Sequence, residues 1–226
     1  MHERSEYLTG QTASSVIGDL FADEHARRVR VSEIALVMGG KRLPKGSNYE
    51  ERPTDNRYIR VTNWADYQID ASDVRYISNE VAASIRRYTI SSEDLFISIA
   101  GSIGLVASVP PDLDGAFLTE NAAKIVVSDQ KSVDTTYLLV ALRSELLTEQ
   151  IRQQKGVGGG VPKLALFRIE ELCLPLPEIG IQREIAASYL SLKAAREQSA
   201  ISLNAASKLK ADLADDLLSG RVRVPA

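Results

Sequence analysis

The sequence predicts a mixed body of short strands and short helices followed by one long C-terminal helix, and two observations predict it. Up to about residue 179, short apolar runs with strand-like alternation are punctuated by Gly, Pro and polar clusters, with helical spacing in only a few stretches. After Gly180 neither Gly nor Pro occurs until Gly220, and the residues between are mostly good helix formers.

At about 1.5 Å per residue, that tract makes a helix of roughly 57 Å. Apolar residues recur at Ile181, Ile185, Tyr189 and Leu192, then at Leu203, Ala206, Leu209, Leu213 and Leu217, with a period of about 3.5 to 3.6. Such a stripe needs a partner. A strict heptad register from Ile185 places Arg196, Ser199 and Lys210 on the seam, so a regular leucine zipper is a poor match. The alanines of the middle (Ala194, Ala195, Ala200, Ala205, Ala206) suit close approach of a second helix instead. The competing reading is an amphipathic helix lying on its own domain; against it stands a length well beyond the roughly 8 to 20 residues of globular helices.

A chain of 226 residues holds one large domain, or one domain with an appendage, and can bury a proper core. Its net charge of -3 and pI of about 5.6 mean that any nucleic-acid surface is a local patch. Such a patch is present between Arg27 and Arg60, where roughly nine basic residues face four acidic ones. The single cysteine, Cys173, sits in an apolar strand and reads as a buried, inert thiol. With no signal-peptide pattern and no apolar run of about 18 residues, the expectation is a cytoplasmic protein without a membrane segment.

The organisation expected is an N-terminal arm over 1–28, a body over 29–179, the helix over 180–220 and a tail over 221–226. In the arm, a short helix over Ser15 to Arg28 puts Val16, Ile17, Leu20 and Phe21 on one side, and both histidines, His2 and His25, read as surface residues. Val29 to Val37 is a short helix or strand ending at the Gly39-Gly40 turn. Lys41 to Tyr49 is a basic loop whose amide, hydroxyl and aromatic groups suit phosphate and base-edge contacts, and equally suit any solvated loop. Tyr58 to Thr62 alternates as a strand closed by Asn63-Trp64, with the tryptophan as a core lid. Ser84 to Tyr88 is a short helix or turn. Strands over Asp94 to Ala100 and Leu105 to Val109 flank a hairpin-like loop, Gly101-Ser102-Ile103-Gly104, and a further strand covers Ile125 to Val127. Asp134 or Thr135 caps a helix through Leu142, broken at Ser144 and resumed to Gln154. A glycine-rich loop, Lys155 to Lys163, precedes the last apolar strand.

No constellation for catalysis stands out. The serine of Gly101-Ser102-Ile103-Gly104 lies one place too early for a nucleophile elbow, and the body of the chain offers no histidine to activate it. The glycine loop lacks the G-K-[ST] ending of a P-loop; the Rossmann fingerprint, zinc spacings and H-E-x-x-H are missing as well. There is no Asn-Pro-Pro-Tyr type motif of amino-methyl transfer. Glu120 and Lys124, following Asp112 and Asp114, are spaced too loosely for a metal-dependent nuclease.

One ordered set of segments is informative: Tyr58-Ile59-Arg60; Asp94 to Gly104; Asn121-Ala122-Ala123-Lys124-Ile125; Tyr137-Leu138-Leu139; the glycine loop; and Leu174-Pro175-Leu176-Pro177-Glu178-Ile179-Gly180-Ile181-Gln182-Arg183-Glu184-Ile185. With the closing Leu217-Leu218-Ser219-Gly220-Arg221-Val222, this set resembles the DNA specificity subunit of type I restriction-modification systems over about Val29 to Val224. The resemblance implies an α+β target recognition domain that reads half of a bipartite site on double-stranded DNA. A spacer helix that pairs antiparallel with its equivalent follows. Family members usually carry two such domains and two such helices, whereas this sequence holds one of each and no internal repeat, so the expected assembly is a homodimer paired through Ile185, Tyr189, Leu192, Leu203, Ala206, Leu213 and Leu217.

On that reading Lys41, Arg42, Lys45, Lys155 and Lys163 hold phosphates, while Asn48, Tyr49, Asn63 and Ser102 meet bases. The chain itself is non-catalytic and binds no metal or cofactor. S-adenosylmethionine and ATP belong to the partner methyltransferase and restriction or translocase subunits. Two other functions fit less of the sequence: a detached recognition piece of a fused restriction-methylation enzyme, and a helix-mediated competitor of assembly that no longer reads DNA.

Overall fold

Four consecutive buried residues, Leu95–Ser98 (β8), form a strand flanked on both edges and covered on both faces, and the body is built outward from it. The computed structural model describes residues 26–65, 68–153 and 163–219. The arm up to residue 25, the glycine loop from Lys155 to Pro162 and Gly220 onward fall outside them, and the expectations for His2, His25 and Lys155 fall outside with them. The chain divides into two units, with the boundary between Ala186 and Ala187.

In the first unit, β8 pairs antiparallel with Ala122–Val127 (β11) on one side and Val106–Ser108 (β9) on the other, so the expected hairpin around the Gly101–Gly104 loop is formed. Ala35–Gly39 (β2), Gln68–Ile69 (β5) and Trp64–Ala65 (β4) complete a six-stranded sheet in the order β2-β11-β8-β9-β5-β4. A four-stranded sheet holds Arg75–Tyr76 (β6), Arg57–Ile59 (β3), Ala116–Leu118 (β10) and Thr89–Ile90 (β7), in that order, with β3 and β10 parallel. Because side chains alternate along a strand, β3 and β10 each serve two cores. Ile59 and Leu118 join Phe96, Ile69 and Ala122 between the two sheets. Tyr58 and Phe117 point the other way and pack on Val81, Ala82 and Ile85.

Helices close the remaining faces. Asn79–Ser84 (α2) begins at Ser78, whose hydroxyl accepts the Val81 N–H at 3.3 Å. The expected element at Ser84 to Tyr88 is therefore the turn ending this helix, where the Tyr88 N–H donates to the Ile85 carbonyl at 2.9 Å. Thr135–Leu142 (α3) is capped by Asp134, which accepts from the Tyr137 N–H at 2.9 Å, and Glu145–Gln153 (α4) resumes after Ser144. Six consecutive residues of α3, from Tyr137 to Leu142, are buried, and the helix packs on β9. Val29 to Val37 resolves into a strand, Arg28–Arg30 (β1), a helical turn, Val31–Ile34 (α1), and the start of β2. After Leu166–Glu170 (α5) the chain enters Cys173–Pro175 (β12), which pairs antiparallel with β1. Gln150 covers the other edge of β12, exchanging 2.9 Å hydrogen bonds with the Cys173 backbone in both directions. Cys173 is partly exposed rather than buried, a consequence of lying in a two-stranded ribbon instead of a sheet interior.

The long helix is continuous over Ile179–Leu218 (α6), about 60 Å of rise. Its first two turns belong to the first unit, where Gln182 and Ala186 are buried. The protein is thus α+β, a mixed body with a long C-terminal helix. Among the described residues no helix is long and apolar enough to cross a membrane.

Candidate nucleic-acid interface

The three residues Thr119-Glu120-Asn121 carry the chain from the four-stranded sheet (β10) directly to the six-stranded sheet (β11). The basic loop begins against this connector. The Gly40 N–H donates to the Ala122 carbonyl at 3.0 Å and the Lys41 N–H to the Leu118 carbonyl at 2.8 Å. A Cβ at Gly40 would lie 2.1 Å from the Thr119 carbonyl oxygen, a distance only glycine avoids. The Tyr58 hydroxyl then donates to the Lys41 carbonyl at 2.7 Å. Burial pushes the Tyr58 phenol up to about 12, so it stays a protonated donor at neutral pH.

Next along the loop, the Arg42 Nε donates to Glu120 Oε1 at 2.6 Å, and the Thr119 hydroxyl donates to Glu120 Oε2 at 3.0 Å. Partial burial works to raise the Glu120 carboxyl, but the hydrogen bonds from Arg42, its own backbone and Thr119 outweigh it and hold the group below its ordinary value. The Arg42 side chain is 78% exposed against 24% for Glu120, so the carboxylate is set into the wall and the guanidinium extends from it. A cleft of about 460 Å³ opens here, lined by Arg42, Asn48, Tyr49, Tyr58, Arg60, Thr62, Glu120 and Asn121 among others. The Tyr49 and Tyr58 rings stand 5.7 Å apart at 51° within it. Arg60 reaches instead to Asp73, donating at 2.8 Å to the carboxylate and 2.9 Å to the carbonyl. Glu120 also borders a second cleft of about 500 Å³, where Lys163 Nζ donates to the Glu120 carbonyl at 3.3 Å.

Of the residues read from sequence, Arg42, Asn48 and Tyr49 line the first cleft and Lys163 lines the second. Lys41 is exposed, with Nζ 5.7 Å from the centre of the Tyr88 ring, and Lys45 is exposed in the Pro44–Ser47 turn. Ser102 is exposed at the tip of the β8–β9 loop, between Gly101 and Gly104 in the left-handed region, and lines neither cleft. Asn63 is a correction. It is 1% exposed, its Oδ1 accepts the Arg60 N–H at 2.8 Å and its Nδ2 donates to the Asp73 carbonyl at 2.8 Å. Each end of its amide holds the turn after β3 and the residue is buried, so it is not placed to meet a base edge. Tyr58, Arg60, Thr119, Glu120 and Asn121 were not singled out as site residues. Their place at the cleft arises from strand pairing across about 60 residues, which no local spacing reports. Among the described residues no group of three or more His, Cys, Asp or Glu could hold a metal.

The second unit presents different chemistry. Along α6 from Ala187, Tyr189 and Leu192 are half-buried, as Ile185 is in the turn before; Leu203, Ala206, Leu209, Leu213 and Leu217 are exposed, Leu209 to 69%. Ile201 and Leu203 are likewise open, so the stripe read from sequence lies bare over its last four turns.

The fold is an α+β body with a polar cleft and a long C-terminal helix, and residues 25–194 match the family described as the Type I restriction modification DNA specificity domain; the chain belongs to this family. Its structure is similar to that of the HsdS subunit from Thermoanaerobacter tengcongensis, with TM-score 0.60 and 18% identity over 88% of this chain and 46% of that one. It is also similar to the type I restriction-modification S subunit from M. genitalium, with TM-score 0.61 and 15% identity over 94% and 53% of the two chains. A chain from a study of complex assembly and conformational transition of the type I R-M system matches with TM-score 0.66 and 15% identity, over 95% and 53%. This chain therefore spans about half the length of the solved structures it resembles. No curated protein matches it.

Proposed function

We propose that this chain is the non-catalytic, sequence-reading subunit of a restriction-modification system. It reads one half of a bipartite double-stranded DNA site and pairs with a second copy through α6. The pair directs methyltransferase subunits, and restriction subunits where present, to the site. The observation that carries this reading is the family match over residues 25–194, on a body whose basic loop and sheet connector frame a polar cleft. Lys41, Lys45 and Lys163 supply phosphate contacts around it, with Asn48 and Tyr49 at base edges. Bare leucines at four-residue steps, Leu209, Leu213 and Leu217, support antiparallel pairing about a two-fold axis. With that symmetry the target is two inverted half-sites. A helix of about 60 Å exceeds one DNA turn of about 34–36 Å, so the half-sites lie more than a turn apart. S-adenosylmethionine and ATP act in the partner subunits.

Selection from a random duplex library, with the full chain alone and with a companion methyltransferase subunit, tests this. The expected product is an inverted, spaced repeat. Recovery of sequences with no common element, under low and physiological salt alike, refutes sequence reading.

A further inference from the structure

We infer that Arg42, held by Glu120, reads a guanine rather than a phosphate, and that the carboxylate is what makes it a base reader. This rests on the proposed DNA-reading function and deepens it at one side chain.

A phosphate contact draws its strength from Coulomb attraction and counterion release, which need an uncompensated cation. Arg42 is compensated: Glu120 Oε1 lies 2.6 Å from its Nε, so a phosphate approaching the guanidinium also meets the field of a carboxylate. Hydrogen-bonding capacity is a different matter. The ion pair uses Nε, and no hydrogen bond is made by the two terminal nitrogens to any described residue, so the outer edge keeps its parallel donors. That edge matches the neutral O6/N7 acceptor pair of guanine in the major groove.

Geometry adds pre-organisation. An arginine on a solvated loop loses side-chain entropy when it docks, because its long stem is free to rotate in the unbound state. Here the backbone before Arg42 is fixed by the hydrogen bonds of Gly40, Lys41 and Tyr58 to the sheet junction, and the guanidinium is fixed by Glu120. Glu120 is steadied in turn by the Thr119 hydroxyl and by its place between two strands of different sheets. Lys41 and Lys45, in the same loop, have no such carboxylate bonded to them among the described residues and remain the phosphate-type cations. Glu120 is a positioning residue; Arg42 is the one that touches DNA.

The test compares the full chain with Arg42→Gln, Arg42→Lys and Glu120→Gln on the half-site selected by the unaltered chain and on its single base-pair variants, over a salt series. Arg42 is exposed enough for its variants to fold, which thermal melting checks. At one G·C position, Arg42→Gln is expected to lose roughly 5- to 150-fold of discrimination while preferences elsewhere persist. Arg42→Lys loses it as well, because a point charge lacks the planar fork. Glu120→Gln relaxes the same position and steepens the salt dependence, since the freed cation now takes up phosphate. If Arg42→Gln weakens every sequence alike and lowers the salt slope by about one, Arg42 is a phosphate contact; if Arg42→Lys keeps the full guanine preference, that preference does not depend on the guanidinium fork; either way the inference falls while sequence reading stands. If the unaltered chain selects no sequence, both fall together.

Discussion

Replacing Gln182 with methionine removes a buried amide that ties the start of α6 to the body. Gln182 is 1% exposed; its Oε1 accepts the Asp134 N–H at 3.0 Å, and its Nε2 donates to the Ser132 carbonyl at 3.0 Å and the Pro177 carbonyl at 2.8 Å. Methionine fills a similar volume, so the cost comes from three backbone groups left without partners. At about 1 kcal/mol each, the low end for partly buried groups, the loss is about 3 kcal/mol. For a body of this size that corresponds to a fall in Tm of roughly 6–12 °C. Urea unfolding followed by the fluorescence of Trp64, the single tryptophan and part of the inter-sheet core, reports on the first unit alone. Gln198→Ala, on an exposed turn of α6, serves as control and is expected to stay within about 0.5 kcal/mol. A Gln182→Met midpoint equal to that of the control would refute the hydrogen-bond account. Gln182→Glu adds a sign: a buried carboxyl has its folded-state pKa raised, so this variant is less destabilised at acid pH and loses stability as pH rises through that value.

Leu209→Lys with Leu213→Lys is expected to turn a dimer of the full chain into a monomer by light scattering without shifting the Trp64 unfolding midpoint; an unchanged mass would tell against pairing through α6. Gly40→Ala is expected to unfold or aggregate the body, with a loss of more than about 3 kcal/mol, because the new methyl meets two backbone carbonyls that cannot move aside; native-like melting would show that the sheet junction yields. Because the Glu120 carboxyl is held below its ordinary value, its contribution is present above the unfolded pKa of about 4.5 and is lost as pH falls through the lower folded one. Glu120→Gln should therefore flatten the acid side of the stability profile by under about 1 kcal/mol after solvent screening, and an unchanged profile would contradict the clamp.

What could be read from the residues follows the range of the interactions. The long helix was legible because its signals are local: no Gly or Pro over about 39 residues, and an apolar stripe of helical period. Asp134 as a cap, the break at Ser144 and the hairpin around Gly101–Gly104 were legible for the same reason. Ser78 opening α2 was missed although its capping signal was present, because the apolar residues after it are few. The site was legible only in part. The basic loop announces Arg42, Asn48 and Tyr49, but Glu120 and Tyr58 reach the cleft through the parallel pairing of β3 with β10. Asn63 misled because an asparagine before a tryptophan at a strand end has the same composition whether its amide faces solvent or closes the turn beneath.

A net charge of -3 looks adverse for the proposed DNA reader, and the arrangement of charges suggests how it could be useful. Two arginines of the cleft are each paired with a carboxylate, Arg42 with Glu120 and Arg60 with Asp73. Neutralising cations in this way lowers the sequence-independent attraction to duplex, which comes almost wholly from unpaired positive charge. It leaves the hydrogen-bond donors in place, and those distinguish one base edge from another. For the proposed reader, affinity for random duplex would then fall more than affinity for the cognate half-site, and the ratio of the two, which governs the search among many competing sites, would rise. In the proposed dimer, two half-site readers joined by α6 would compound that ratio, since a second weak contact becomes intramolecular only when both half-sites are correct and correctly spaced. On this account, adding surface lysines would tighten total binding while degrading selectivity.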